Sequence, residues 1–187
     1  FLQQEGIGPG DRVILMVRPS IDFIALTFAL FRIGATVILI DPGMGYKNLL
    51  RCIENVSPDH LIGIPAVVIL SHVFRKKFRT LRKRFCCGRM LGSSIFDIRQ
   101  QVAKEFDHES AFIPDKTSLA AIIFTTGSTG PPKGVRFEHS IFAAQLEKIR
   151  AYYKIGPDDV DQPGFPLFAL FSTALGACAV IPDMDPT

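Results

Sequence analysis

The sequence predicts an α/β fold, a mostly parallel β-sheet flanked by helices. Short apolar, β-branched runs such as Val13-Ile-Leu-Met-Val17 and Thr36-Val-Ile-Leu-Ile40 alternate with segments of helical period. These runs are apolar throughout, which suits strands covered on both faces, as parallel strands are. Gly, Pro, Asp and Asn punctuate the junctions between the two kinds of segment.

In chain order, residues 13–17 read as a strand after the Gly/Pro/Asp turn of residues 6–11. Ser20 is a candidate N-cap for a helix running to about Arg32, where Gly34 ends it. Residues 36–40 form the next strand, closed by Asp41-Pro-Gly43. Residues 48–55 read as a helix broken by Pro58, and residues 61–64 and 67–70 as strand-like. Residues 97–112 are a polar connection with a short helix expected around 99–106. Leu119-Ala-Ala-Ile-Ile-Phe124 is a buried strand, and Val135-Arg-Phe137 is another. A helix is expected from Ser140 to about Lys154, with Phe142, Leu146, Ile149 and Tyr153 on its apolar face.

Composition narrows the function. A chain of 187 residues, 48% hydrophobic and 21% charged, supports one sizeable core. A net charge of +3 is too small to argue for nucleic acid as the main partner, which would need a concentrated basic stripe on a recognised fold, so no nucleic acid is expected. Cys52, Cys86, Cys87 and Cys178 match neither a C-x-x-C pair nor a zinc ligand set, so a reducing cytoplasm is the simplest setting. Residues 21–40 approach the length of a membrane span, but Asp22 and Arg32 lie inside and Gly34 divides a helix-like half from a strand-like half. That segment is expected to be a buried helix followed by a buried strand. The chain opens on Phe1 and stops in a loop-like stretch, Ile181-Pro-Asp-Met-Asp-Pro-Thr187, so both ends are expected to be cut from a longer protein.

Residues 73–85 hold Arg75, Lys76, Lys77, Arg79, Arg82, Lys83 and Arg84 with no acid among them. Phe74, Phe78, Leu81 and Phe85 recur at one-face helical spacing, which predicts a basic amphipathic helix. Its functional reading is contact with an anionic membrane surface or an acidic partner. Its bland reading is a solvated surface helix, which is what charge runs usually are.

The chemistry is concentrated in Thr125-Thr-Gly-Ser-Thr-Gly-Pro-Pro-Lys-Gly134. Glycines let backbone N–H groups turn toward an anion, hydroxyls donate further hydrogen bonds, and a lysine adds a mobile positive charge. Such a composition also makes ordinary turns. A Walker A loop would need Gly before the lysine and Ser or Thr after it, but Pro132 and Gly134 stand there and a strand follows. A dinucleotide fingerprint fails too, because Gly127, Gly130 and Gly134 are not spaced as G-x-G-x-x-G and no helix opens at the loop.

Together with Phe124, this loop resembles the signature of the adenylate-forming superfamily of acyl-CoA synthetases, luciferases and peptide-synthetase adenylation domains. That signature is an aromatic residue, Thr-Ser-Gly-Thr-Thr-Gly, one free position, then Pro-Lys-Gly; only Ser/Thr exchanges separate the two. Phe31-Arg-Ile-Gly-Ala-Thr-Val37 with Asp41-Pro42, and Glu138-His139 ahead of a helix, resemble flanking segments of the family, so the likeness covers essentially the whole chain. At the helix start, His139 reads as structural rather than as a catalytic base. Pro166-Leu-Phe168 resembles the family's Pro-Leu-Phe-His motif, with Ala169 in place of the histidine. The run from Gln162 to Ala177, and Leu61-Ile-Gly-Ile-Pro65, look most like the olefin β-lactone synthetase branch.

The resemblance implies a partial N-terminal AMP-binding domain over residues 1–187, its C-terminal domain lying elsewhere, and no turnover by this stretch alone. ATP with Mg2+ would be the cofactors and a fatty-acid-type carboxylate the substrate. Thr125, Thr126, Gly127, Ser128, Thr129, Gly130 and Lys133 would hold the ATP phosphates. The adenine, ribose and metal contacts and the C-terminal lysine of the family have no counterpart here, so no catalytic residue and no metal ligand is assigned. The implied activity is activation of a long-chain β-hydroxy acid as an acyl-adenylate that closes to a β-lactone. Alternatives are a fatty acyl-CoA synthetase and, in another class, a non-catalytic membrane-surface or interaction module.

Overall fold

The parallel strands are apolar on both faces because both faces are covered. The computed structural model describes residues 1–89, 97–100, 111–115, 117–125, 131–164 and 166–182. The first elements are strand β1 (Arg12–Met16), helix α1 (Ile21–Arg32) and strand β2 (Thr36–Leu39). Helix α2 (Tyr46–Val56), strand β3 (His60–Gly63), helix α3 (Pro65–Val73) and strand β4 (Lys83–Cys86) follow. Strand β5 (Leu119–Thr125), strand β6 (Lys133–Glu138) and helix α4 (His139–Tyr153) come next. A small unit of β7 (Val160–Asp161), α5 (Ala169–Ala174) and β8 (Cys178–Ala179) completes the described chain.

The main sheet runs β4-β3-β1-β2-β5-β6, all pairs parallel except β5–β6. β7 and β8 form a separate parallel pair. Alternate residues along the strands enter two cores, as the period of a strand requires. Val13, Leu15 and Val37 pack under α1 with Ala121, whereas Ile14, Ile38, Ile122 and Phe124 pack under α2. The chain steps from β1 to β2 in one direction and from β2 to β3 in the other, and right-handed crossovers therefore place α1 and α2 on opposite faces.

Local chemistry sets the boundaries of α1. Ser20 accepts a hydrogen bond from the Phe23 N–H at 3.3 Å, capping the start, and Gly34 at φ +77° ends the helix. Residues 21–40 are thus the buried helix and strand the sequence predicts, and no helix among the described residues is long and apolar enough to cross a membrane.

Two sequence expectations fail here. Residues 67–70 are not a strand but the middle of α3, which Pro65 starts at its first turn. Residues 73–85 are not one basic amphipathic helix. α3 ends at Val73, the chain makes turns through residues 74–80, and β4 begins at Lys83. The four apolar residues do not share a face: Phe78 is buried with α2, Phe85 enters the opposite core, and Phe74 is 36% exposed. Tertiary bonds win over the helical period, because the Arg82 N–H donates to the Asp59 carbonyl and Thr80 Oγ1 to the Pro58 carbonyl. The helix expected around residues 99–106 falls mostly outside the described residues, apart from a single 3-10 turn at Ile98–Gln100.

α4 is where the sequence places it, but it lies lightly on the rest. Phe142, Leu146 and Ile149 are half-buried, whereas Tyr153 is exposed rather than part of the packed face.

Candidate functional site

In an open α/β sheet, ligands gather at the carboxyl ends of the parallel strands, near the point where the strand order reverses. β1 marks that reversal here, and the loop after β5 leaves the same edge of the sheet. At this edge β1 runs out toward the Ser20 cap, and β2 toward Asp41, whose Oδ1 accepts from the Gly43 N–H at 2.8 Å. Asp41 is thereby occupied in shaping its own turn.

β5 and β6 define the mouth of the loop. Thr125 is the cross-strand partner of Lys133, and Phe124 that of Gly134. Thr125 and Lys133 are both exposed, so the hydroxyl and the cation face solvent from the two strands that hold the loop. Phe124 is buried with α2. A Cβ added to Gly134 would lie 3.1 Å from the Phe124 Cζ and 3.1 Å from the Ile122 Cγ2. The ring thus packs closely over the glycine on the strand that presents Lys133, leaving little room for a side chain there. Thr126, Gly127, Ser128, Thr129 and Gly130 lie outside the described residues. Of the residues expected to hold phosphate, the structure brings Thr125 and Lys133 side by side.

His139 begins α4 beside this hairpin. Its backbone N–H donates to the Ser118 carbonyl at 3.0 Å, and its ring packs against Phe31 and Phe112 at centroid distances of 5.4 and 6.4 Å. Burial holds its pKa below the ordinary histidine value, and its Nε2 has no hydrogen-bond partner among the described residues. A neutral ring in an aromatic wedge is a packing element.

Ala169 is fully buried in the core under α1, together with Leu170. Where the resembled motif has histidine, this chain has a fully buried alanine.

A polar cluster invisible to motif reading lies at the opposite, amino edge of the sheet. Asp11, Asp59 and Arg82 each stand directly before a strand, and Arg82 bridges Asp11 to Asp59, the latter at 2.9 Å. The Arg12 N–H donates to the Asp59 Oδ2 at 2.9 Å. Burial pushes the Asp59 carboxyl up, but the Arg12 N–H and Arg82 outweigh it and hold the group below its ordinary value. His60 sits beneath, 1% exposed, with Nε2 at 3.5 Å from Asp11 Oδ2. That separation is too long for a hydrogen bond. Burial, seconded by Arg82, keeps His60 below the ordinary histidine pKa despite the two carboxylates. The cluster ties β1, β3 and β4 together, and it lies at the far end of the strands from the loop.

Among the described residues no group of three or more His, Cys, Asp or Glu could hold a metal ion.

Residues 1–183 match the family model of the AMP-binding enzymes. The chain belongs to that family. It is 40% identical over 191 aligned residues to an olefin β-lactone synthetase of Xanthomonas campestris pv. campestris, covering 100% of this chain and 34% of that protein. Identity to an olefin β-lactone synthetase of Stenotrophomonas maltophilia is 42% over 188 residues, covering 97% of this chain and 33% of that protein. The chain thus spans about a third of the length of these curated relatives. Among solved structures, ATP-bound MatB from Rhodopseudomonas palustris superimposes with a TM-score of 0.79 at 23% identity, over 99% of this chain and 38% of that one. At that identity the likeness establishes the fold: the mostly parallel sheet with flanking helices is that of AMP-binding enzymes.

Proposed function

We propose that the protein containing this chain activates a long-chain β-hydroxy acid with ATP and converts it to a β-lactone. The observation that carries this reading is the 40 to 42% identity to two olefin β-lactone synthetases along almost the whole chain, against 26% to the peptide synthetase gramicidin S synthase 2. In the first step a carboxylate oxygen attacks the α-phosphorus and pyrophosphate leaves. In the second the substrate's own β-hydroxyl attacks the acyl carbon, losing its proton, and AMP leaves. Atoms balance as hydroxy acid plus ATP giving lactone, AMP and pyrophosphate.

This chain's part is to hold the phosphates. Thr125 and Lys133, paired across the mouth of the loop, would donate to phosphate oxygens with Thr126, Gly127, Ser128, Thr129 and Gly130 between them. Lys133 offsets the crowding of negative oxygens as the carboxylate approaches, a positioning and charge effect rather than covalent catalysis. Mg2+ would accompany ATP, and its protein ligands, like the adenine and ribose contacts, would come from the other two-thirds of the enzyme. A reducing cytoplasm agrees with four free thiols, three of them buried.

The test is exchange of labelled pyrophosphate into ATP by the full-length protein, dependent on a β-hydroxy acid. Exchange without CoA, abolished by Lys133→Ala, supports the reading. No exchange with any long-chain acid overturns it.

A further inference from the structure

α3 is apolar nearly all round, yet it is only partly covered. Val68 and Ser71 are buried, whereas Ile69 and Val73 are 50% and 69% exposed. Ala66 is exposed one turn earlier, and the spacing 66, 69, 73 sets all three on one stripe. The chain leaves the helix through Phe74, 36% exposed, into the turns that carry Arg75, Lys76, Lys77 and Arg79. Exposed aliphatic residues are thus followed along the chain by exposed cations.

The nearby acids are already engaged. Lys77 pairs with Glu54 at 2.7 Å, Lys83 with Glu5 at 2.9 Å, and Arg82 with Asp11 and Asp59. Arg75, Lys76, Arg79 and Arg84 have no carboxylate partner among the described residues. Burial and, after it, the neighbouring charge of Arg75 hold Arg84 below its ordinary value.

We propose that this surface seats an anionic lipid bilayer, with Ile69, Val73 and Phe74 entering the headgroup boundary and Arg75, Lys76 and Arg79 meeting lipid phosphates. Exposed aliphatic side chains beside unpaired cations are what such a boundary binds. A two-fold contact with a second copy would set this cationic cluster against its twin. An acidic protein would satisfy the cations but leave Ile69 and Val73 without a role. This surface is not the helix the charge run suggests; it combines one side of α3 with the turns after it. It lies toward the β4 edge, while the loop lies between β5 and β6 at the other, so it can be altered without touching Thr125 or Lys133.

The experiment is co-sedimentation of the full-length protein with vesicles of phosphatidylcholine, alone or mixed with phosphatidylglycerol. Wild type is expected on the mixed vesicles only, in a salt-sensitive manner. Each cation near an anionic surface contributes roughly a five-fold effect, so Arg75→Glu/Lys76→Glu/Arg79→Glu should reduce partitioning by about a hundred-fold or more. Arg75→Lys/Arg79→Lys should retain it, and Ile69→Ser/Val73→Ser should weaken it with every charge in place. Thermal melting and ATP binding, unchanged in each variant, show that the fold is kept. Wild type remaining in the supernatant with mixed vesicles overturns the proposal, as does charge-reversed protein that binds like wild type. Serine variants that bind undiminished overturn the entry of Ile69 and Val73 into the headgroup boundary.

Discussion

The ring of Phe124 packs against Gly134, its partner across β5 and β6, so closely that a Cβ there would lie 3.1 Å from its Cζ. The two residues bracket the loop, one just before its first hydroxyl and one just after its lysine. An aromatic residue and a glycine at these positions thus form one close contact between the two arms of the hairpin.

Gly134→Ala should press its methyl on Phe124 and Ile122 and destabilise the protein by about 1 to 2 kcal/mol, the usual cost of adding atoms to a filled site. Phe124→Ala should cost more, about 3 to 5 kcal/mol, because a buried phenyl is lost and a cavity remains. Denaturant midpoints at constant m-value measure both. If Gly134→Ala proves neutral, the ring is free to move.

Lys133 is exposed, so Lys133→Ala should leave the melting temperature unchanged. It should nevertheless weaken ATP binding by the full-length protein about ten- to a hundred-fold, the range for a hydrogen bond to a charged group. Calorimetric titration with ATP reads the loss, and undiminished affinity would remove Lys133 from the phosphate site.

Ala169→His places a larger, polar ring in a core position with no exposure. Overpacking alone costs about 1 to 3 kcal/mol, and an unpaired imidazole adds to that. A melting temperature equal to that of wild type would mean that a histidine fits there after all, as in the resembled motif.

His60 links stability to pH. Its folded-state pKa is depressed, so the unfolded chain takes up a proton near pH 6.5 that the folded chain still refuses. Its contribution is complete above that pH and declines as pH falls toward the lower folded-state value. His139, also depressed, acts in the same direction. Urea midpoints from pH 8 to 5 should fall, and His60→Gln should flatten the slope. An unaltered slope would show that His60 takes up its proton as readily in the fold as in the unfolded chain.

The thiols should separate by burial. Burial, then Asp22, pushes Cys87 up to about 11, and burial raises Cys52 and Cys86. Cys178 is exposed. Limited alkylation at neutral pH should label Cys178 first, with the other three reacting only on unfolding, as peptide mass spectrometry would reveal. Early labelling of Cys87 would contradict its placement in the core.

Much of the fold was legible because its signals are local. Ser20 caps α1, Gly34 ends it, and the apolar runs at β1, β2 and β5 are bounded by Gly, Pro and Asp. α3 was misread because Pro65–Val73 is apolar nearly all round, and a run without a polar face has no period to reveal its state. Pro65 at its first turn was the signal that could have identified it. The basic segment was misread for the opposite reason. Its helical spacing is clear, but Phe78 and Phe85 belong to cores on opposite faces of the sheet, a division that exists only once β4 pairs with β3. At the site, the loop was legible as composition and order, while the pairing of Thr125 with Lys133 follows from the strands around it. The His60 cluster draws on residues far apart in sequence and carried no local sign.

The most direct measurement is product analysis with the full-length protein. Incubated with ATP, Mg2+ and a racemic long-chain β-hydroxy acid without CoA, it should release AMP and yield a product lighter than the acid by one water, the β-lactone. AMP release that appears only when CoA is added, with a thioester as product, would contradict lactone formation and leave an acyl-CoA synthetase.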